Sequence, residues 1–332
     1  RLANGGNPIK SEIDIEEGRK FWSFIPPTKS QAPVVKNAAW PRGEIDQFVM
    51  AKLEEKNLTV TRDATRRELI RRIHFDLTGL PPTPGEISKF LNDPSEDAFE
   101  KIVDRLLRSP HFGEHWGRHW LDVARYSESN GMERNYTYPH AWRYRDYVIR
   151  SFNHDKPFRQ FIREQIAGDL LGRDKRKPTD EELIATGFLA LGPKPLNQGN
   201  KALFKLDVVD EQIDATTRAF LGLTVSCARC HDHKFDPIPT KDYYAMAGIF
   251  RSTDAHYGTI NGQGNRQPSR LLTIVGSDKN RAQKIRNHEF KLEQENAKLL
   301  LMQEENRELR ALKKKANANQ KARMRRLNRD IK

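Results

Sequence analysis

Residues 61–84 read TRDATRRELIRRIHFDLTGLPPTP, and this stretch decides the fold class. Leu69, Ile70, Ile73 and Leu77 recur at the three-and-four spacing that lines one face of an α-helix, with charged residues between them. Thr61-Arg62-Asp63-Ala64 gives an opening signal, Gly79 a C-terminal cap, and Pro81, Pro82 and Pro84 forbid continuation. The same grammar recurs on both sides. Upstream, Ile45, Phe48, Val49 and Leu53 form a stripe after Pro41. Downstream, helices are predicted over Pro84 to Asn92, Ala98 to Leu107, Gly113 to Tyr126, Ala141 to Asn153, Pro157 to Leu171, Glu181 to Leu191 and Val209 to Gly222. Almost nothing alternates with period two, so the body is predicted to be mainly α, an irregular multi-helix domain.

Punctuation and composition divide the chain into four parts. Residues 1–40 carry Pro8, Pro26, Pro27 and Pro33 and read as irregular, 41–253 as the helical domain, and 254–277 as a polar linker. Residues 278–332 read as one long coiled-coil-like helix. Ile285, Leu292 and Leu299 repeat every seven residues, Met302 and Leu309 lie on the adjoining seam, and Asn306 continues the first line where Asn sets register. His288 and Glu295 interrupt the seam, so the alternatives are an arm whose antiparallel partner segment is missing and a lone solvated helix. From Arg281 to Lys332 there are 16 Lys/Arg against 7 Asp/Glu, so +9 of the net charge of +13 sits in this arm. Nucleic acid is not an expected partner, because no reading module accompanies the charge. No run approaches the ~18 apolar residues a membrane span needs. The chain opens at Arg1 with no signal-peptide pattern, which is expected of a processed or partial product.

The chain has two cysteines, in Cys227-Ala228-Arg229-Cys230-His231. Two thiols three residues apart can add to the two vinyl groups of a haem, and the next His offers its imidazole to the iron from the same turn. Two cysteines among 332 residues, with 10 His in the chain, give this order by chance roughly once in five thousand sequences. The motif therefore predicts one covalent haem c, with Cys227 and Cys230 as its thioether attachment points and His231 as proximal iron ligand. Covalent attachment follows export, which predicts a periplasmic or cell-surface location. Zinc is an alternative, since His231 and His233 could complete a four-ligand set. A redox dithiol is another, though the βαβ setting of thioredoxin-like pairs is absent. No nucleophile motif, P-loop or dinucleotide fingerprint occurs.

The segment from Cys227 to Ile238 resembles the hallmark of the DUF1549 family (PSCyt2, a planctomycete cytochrome-like domain). The likeness extends to Arg71 through Pro82, Gly117 through Tyr126, Tyr144 through Val148, Gln165 through Leu171 and Lys241 through Tyr244, together spanning residues 20 to 253. The resemblance implies a large exported protein in which this region follows a cytochrome-c-like domain and precedes a DUF1553 domain. Those domains and a redox protein are the implied partners, and polysaccharide metabolism is a looser association. The arm resembles the coiled-coil segment that separates the two domains, so the chain is expected to stop before the second.

Further candidates surround the motif. His119 is the leading distal iron ligand; His111 and His115 share its helix face, and Met246 is the runner-up. Against these, a His between Arg118 and Trp120 is more often a hydrogen-bonded structural residue, and Met246 reads mostly as core packing. His233, two residues past the proximal ligand, suits a haem propionate or a hydrogen bond orienting a neighbour. Asp232 and Asp236 could hold calcium or cap the turn before Pro237. Asp122, Arg125, Tyr126, Asn130, Arg143 and Arg145, interleaved with Trp116, Trp120 and Trp142, suit a sugar or propionate surface or an internal salt-bridge core. Arg125 and Arg145 are the propionate candidates.

Overall fold

In the computed structural model, which describes residues 14–132, 135–172, 177–259, 264–272, 274, 279–311 and 317–330, the described residues form thirteen α-helices and no β-strand. An isolated bridge joins Ser129 and Thr137. The first unit, Arg1–Leu272, holds α1 (Ile15–Gly18), α2 (Glu44–Glu55), α3 (Arg66–Thr78), α4 (Pro84–Asn92), α5 (Ala98–Leu107), α6 (Pro110–Val123), α7 (Trp142–Asn153), α8 (Phe158–Ala167), α9 (Asp180–Ala185), α10 (Lys201–Leu221) and α11 (Thr240–Arg251). The second, Thr273–Lys332, holds α12 (Lys279–Ala311) and α13 (Ala318–Asp330).

Local chemistry explains where these helices begin. The opening signal at Thr61 is passed over for Thr65, whose hydroxyl accepts the Glu68 N–H while Glu68 accepts the Thr65 N–H at 2.7 Å. Such a reciprocal box satisfies two orphan donors at once. Thr83 with Glu86 starts α4 the same way, with Pro84 in the first turn. Ser109-Pro110 reads in sequence as a stop, but Ser109 caps α6 and Pro110 occupies its first turn, where a missing N–H costs nothing. Asn200 caps α10 through Ala202 and Leu203, eight residues ahead of the expected start at Val209. α8 and α9 are shorter than expected, each giving way to a 3-10 turn, at Gly168–Leu170 and Thr186–Leu189.

Three apolar clusters hold the first unit together. Ile70 of α3 packs with Phe90, Ala98, Ile102 and Leu106. Trp120, Tyr144, Tyr147, Phe161 and Phe188 join α6 through α10, and their polar atoms are satisfied internally: Trp120 Nε1 donates to Tyr144, which donates to Gln165 at 2.6 Å. The third cluster, Val209, Ile213, Val225, Ala228, Ile238, Tyr243, Ala247 and Phe250, backs the cysteine motif. α2 departs from expectation. Its stripe faces outward, with Ile45 79%, Phe48 42% and Val49 46% exposed, and only Met50 buried. Periodicity shows that a helix has an apolar face, not that the face is covered.

Two expected boundaries move. Within the predicted linker, Tyr257, Thr259, Asn265 and Gln267 are buried, and Arg266 and Gln267 bond back to Leu196 and Gln198 at 2.8 and 2.6 Å. Residues 254–259 and 264–272 therefore belong to the body; 260–263, 273 and 275–278 lie outside the described residues. The predicted single helix to Lys332 ends at Ala311, and α13 packs back on α12 as a helical hairpin. Leu327 and Asn306 are buried in its seam, Asn306 bonds Asn328 at 2.9 Å, and Arg323 grips Glu305 through two bonds. A partner for the arm's distal end thus lies within the chain. Leu292 stays exposed, and the Ile285 side chain lies outside the described residues.

Candidate functional site

The cysteine motif occupies a 3-10 turn, Val225–Arg229, entered through Gly222 in a left-handed conformation at the end of α10. Three residues per turn make positions i and i+3 eclipse. Val225 and Ala228 accordingly share the buried edge, and Cys227 and Cys230 share the exposed one as free thiols. Charge and hydroxyl contacts fix the turn from behind. Asp210 of α10 pairs with Arg229 at 3.2 Å and accepts the Tyr243 hydroxyl at 2.7 Å, while its carbonyl accepts Ser226 at 3.2 Å. Tyr244 donates to the Arg229 carbonyl at 3.1 Å.

His231 follows on the exposed side, its Nδ1 2.6 Å from the Asp232 carbonyl oxygen. A carbonyl can only accept, so Nδ1 carries the proton and Nε2 presents its lone pair outward. His233 is oriented inward. Its Nδ1 accepts the N–H groups of Asp236 (2.8 Å) and Phe235 (3.2 Å), so Nε2 donates to Thr224 at 2.9 Å. Both nitrogens are engaged, and this ring ties the two ends of the segment from Thr224 to Asp236 together. Asp232 accepts the Thr240 N–H at 2.8 Å in the first turn of α11, and that bond lowers its carboxyl below the usual range. Asp236 lies 3.4 Å from His233. Among the described residues no group of three or more His, Cys, Asp or Glu converges on a point that could hold a metal ion.

Haem c needs no such group: it needs two thiols on one face and one available imidazole nitrogen. The exposed, unbonded Cys227 and Cys230, with Nε2 of His231 beside them, fit that demand. The other candidates lie apart from the turn or are otherwise engaged. His119 meets His115 edge to face and Trp116 at a tilt on α6, which packs mainly on α3 and α7, whereas the turn packs on α10 and α11. His111 is held by Glu114 at 2.7 Å. Met246 is half-buried against the third cluster. Arg145 binds Asp146 and Glu128. The tryptophans divide: Trp120 is core, Trp116 donates to the Asp76 carbonyl, and Trp142 lies under Arg143.

Arg125 belongs to an ionic cluster that sequence reading did not assemble. It stands at φ 52, a left-handed conformation costly for a side-chain-bearing residue, and its Nη1 lies 2.8 Å from the Glu211 carboxylate. That contact joins charges without aligning a hydrogen bond, since both Glu211 oxygens, Arg125 Nε and Arg125 Nη2 are buried without a hydrogen-bond partner among the described residues. Lys194 is fully buried beside them, its Nζ donating to the carbonyls of Ala190 (2.6 Å) and Gly192 (2.9 Å). Burial pulls the Lys194 ammonium down to about 8, against the charge of Glu211. Burial pushes the Glu211 carboxyl up, against Lys194 and Arg125. A Cβ at Gly192 would overlap the Glu211 carboxylate, so a larger residue there would displace that side chain.

Comparison with known proteins places this architecture in a family. The model of PSCyt2, described as a protein of unknown function (DUF1549), matches residues 44–255, which include α2 through α11 and the cysteine turn. No curated protein and no solved structure matches the chain.

Proposed function

We propose, for a chain that belongs to the PSCyt2 (DUF1549) family, that it is an exported c-type haem protein working in electron transfer or haem-dependent oxidation. Thioether bonds to Cys227 and Cys230 would hold one haem, and His231 would be its iron ligand. The observation that carries this reading is the exposed pair of free thiols next in sequence to an imidazole held through Nδ1 by the Asp232 carbonyl, all on a turn secured from behind. When bound, the haem supplies one-electron chemistry at iron.

The protein's own residues act before and around that chemistry. The two thiols would fix the position of the group, and the Asp232 carbonyl orients the His231 ring through Nδ1. His233 and Asp210 hold the turn, which preserves the spacing of Cys227, Cys230 and His231. The exposed position of the thiols suits exchange with a partner protein at the surface. An adjoining cytochrome-like domain is the partner that the family resemblance suggests, and the polysaccharide association rests on the resemblance alone.

The full chain, coproduced with c-type haem-attachment machinery, tests the proposal. A Soret band, haem stain that survives denaturing electrophoresis, and one haem per chain are expected, all lost in the Cys227→Ser, Cys230→Ser double variant. A colourless wild-type chain with the mass of the bare polypeptide overturns it.

A further inference from the structure

We infer that His115 and His119 form a two-imidazole site on the outer face of α6 for a late first-row divalent cation of the copper, nickel and zinc type. The site goes beyond the haem reading and does not depend on it. His111, His115 and His119 share one face of this helix. Glu114 holds His111 at 2.7 Å, whereas the rings of His115 and His119 have no hydrogen bond or ion pair among the described residues. Residues four apart on a helix are neighbours about 6 Å apart along the axis. Here the two ring centroids lie 5.4 Å apart, with planes at 83°. An ion about 2.0–2.1 Å from one nitrogen of each imidazole, at a roughly tetrahedral angle, holds two such centroids about 5 Å apart. The pair stands at the separation a bridging cation requires.

Packing fixes the first imidazole. Gly79, left-handed at φ 69 where α3 ends, comes so close that a Cβ there would lie 2.6 Å from His115 Nδ1. The Nδ1 edge is thus turned to the end of α3, and Nε2 is the nitrogen left for an ion. Trp116, next to His115, ties α6 to α3 by donating to the Asp76 carbonyl at 3.1 Å. Burial above all, then His119 and Arg118, hold the His115 imidazole below its usual range, against Asp76, so at neutral pH it is an unprotonated ligand. His119 is exposed, so a cation reaches the pair from solvent. Imidazole nitrogen selects late first-row metals over calcium or magnesium, with Cu2+ the tightest. No group of three or more His, Cys, Asp or Glu converges among the described residues, so water completes the coordination. Closed structural sites take four protein ligands; one with two is exchangeable and open to a further ligand from solution.

The test titrates Cu2+ at neutral pH into the full chain carrying Cys227→Ser and Cys230→Ser, which removes the competing thiols. Equilibrium dialysis reads binding, and tryptophan fluorescence reads position. One copper per chain is expected in the tightest class of site. It should quench Trp116, whose ring centroid lies 6.0 Å from that of His115 and 5.5 Å from that of His119. Trp116→Phe should keep the bound copper and lose the quenching. His119→Gln should weaken binding by about tenfold or more, because one imidazole then holds the ion where two chelated it. His111→Gln should bind as the parent chain does. His119 is exposed, so His119→Gln should keep the fold, which far-UV circular dichroism checks. Equal copper affinity in His119→Gln and its parent, quenching that survives Trp116→Phe, or no binding below millimolar copper overturns the inference.

Discussion

Lys194 should make the first unit more stable as pH rises from neutral to about 9.5. Its ammonium is fully buried and held by two backbone carbonyls, over the rings of Tyr138 and Tyr257 and within the field of Glu211 and Arg125. Burial lowers it from 10.5 to about 8. At roughly 1.36 kcal/mol per unit, the folded state below that value carries a penalty of about 3 kcal/mol for the charged form. The sign follows from proton counting. Between the folded value of about 8 and the unfolded 10.5, the unfolded chain holds a proton that the folded chain has released, so stability rises with pH. Integration from about pH 7 to about pH 9.5 gives a gain of about 2 kcal/mol. Tyr138 and Tyr257 keep their protons in the folded state because burial raises them, and they reduce stability only above the ordinary tyrosine value near ~10. Urea unfolding followed by tryptophan fluorescence reads the first unit selectively, because Trp22, Trp40, Trp116, Trp120 and Trp142 all lie in it. Lys194→Met should flatten the rise. Parallel pH profiles for wild type and Lys194→Met would refute the reasoning.

Three other outcomes follow from the packing. His233→Ala removes a buried ring that satisfies Thr224, Phe235 and Asp236, and should cost about 2 kcal/mol in urea unfolding while speeding modification of Cys227 by thiol reagents; unchanged stability and thiol kinetics would sink the pinning role. Gly168→Ala places a Cβ against the Glu182 carbonyl oxygen, a backbone atom, and should cost about 3 kcal/mol, while Gly85→Ala, which meets nothing within 4 Å, should be silent in the same assay. Asn306→Leu removes a buried amide whose Oδ1 lacks a partner among the described residues, and should stabilise the helical hairpin by about 1 kcal/mol in thermal circular dichroism at the cost of a less unique register; a hairpin that melts earlier would show that the bond to Asn328 outweighs the burial cost.

What the sequence revealed follows the range of each signal. α4 and α5 have the bounds expected of them because their apolar stripes and the signals beside them, such as Thr83 before α4, are local in sequence. α6 was misplaced at its start because Ser-Pro both ends and begins helices, and only the direction of the following chain distinguishes the two. The arm's return is invisible to heptad counting, since neither Gly nor Pro interrupts residues 307–332. In the site, Cys227, Cys230 and His231 are legible because their chemistry is contiguous. Asp210, Thr224 and Tyr243 gain their roles only through folding. Lys194 is harder still: a Lys in Gly192-Pro193-Lys194-Pro195 reads as surface loop, because lysines are almost never fully buried.

The burial of that lysine bears on the cysteine turn through α10. Asp210 and Glu211 are consecutive there, so they point about 100° apart around the axis. Asp210 meets Arg229 and Tyr243 of the turn's surroundings, and Glu211 meets Arg125 and lies in the field of Lys194. An apolar core of similar volume could match or exceed the stability of such a cluster, so stability alone does not account for it. The Arg125 guanidinium donates to the Glu211 backbone carbonyl at 3.2 Å, a directional contact that apolar packing would not supply. The hypothesis that follows is that the cluster sets the rotation of α10 and thereby the aim of Asp210 at the turn. Lys194→Met then changes the rate at which thiol reagents modify Cys227 at neutral pH, under conditions where the chain stays folded. A variant whose stability shifts while both thiols react as in the wild type would confine the cluster to the energetics of the core.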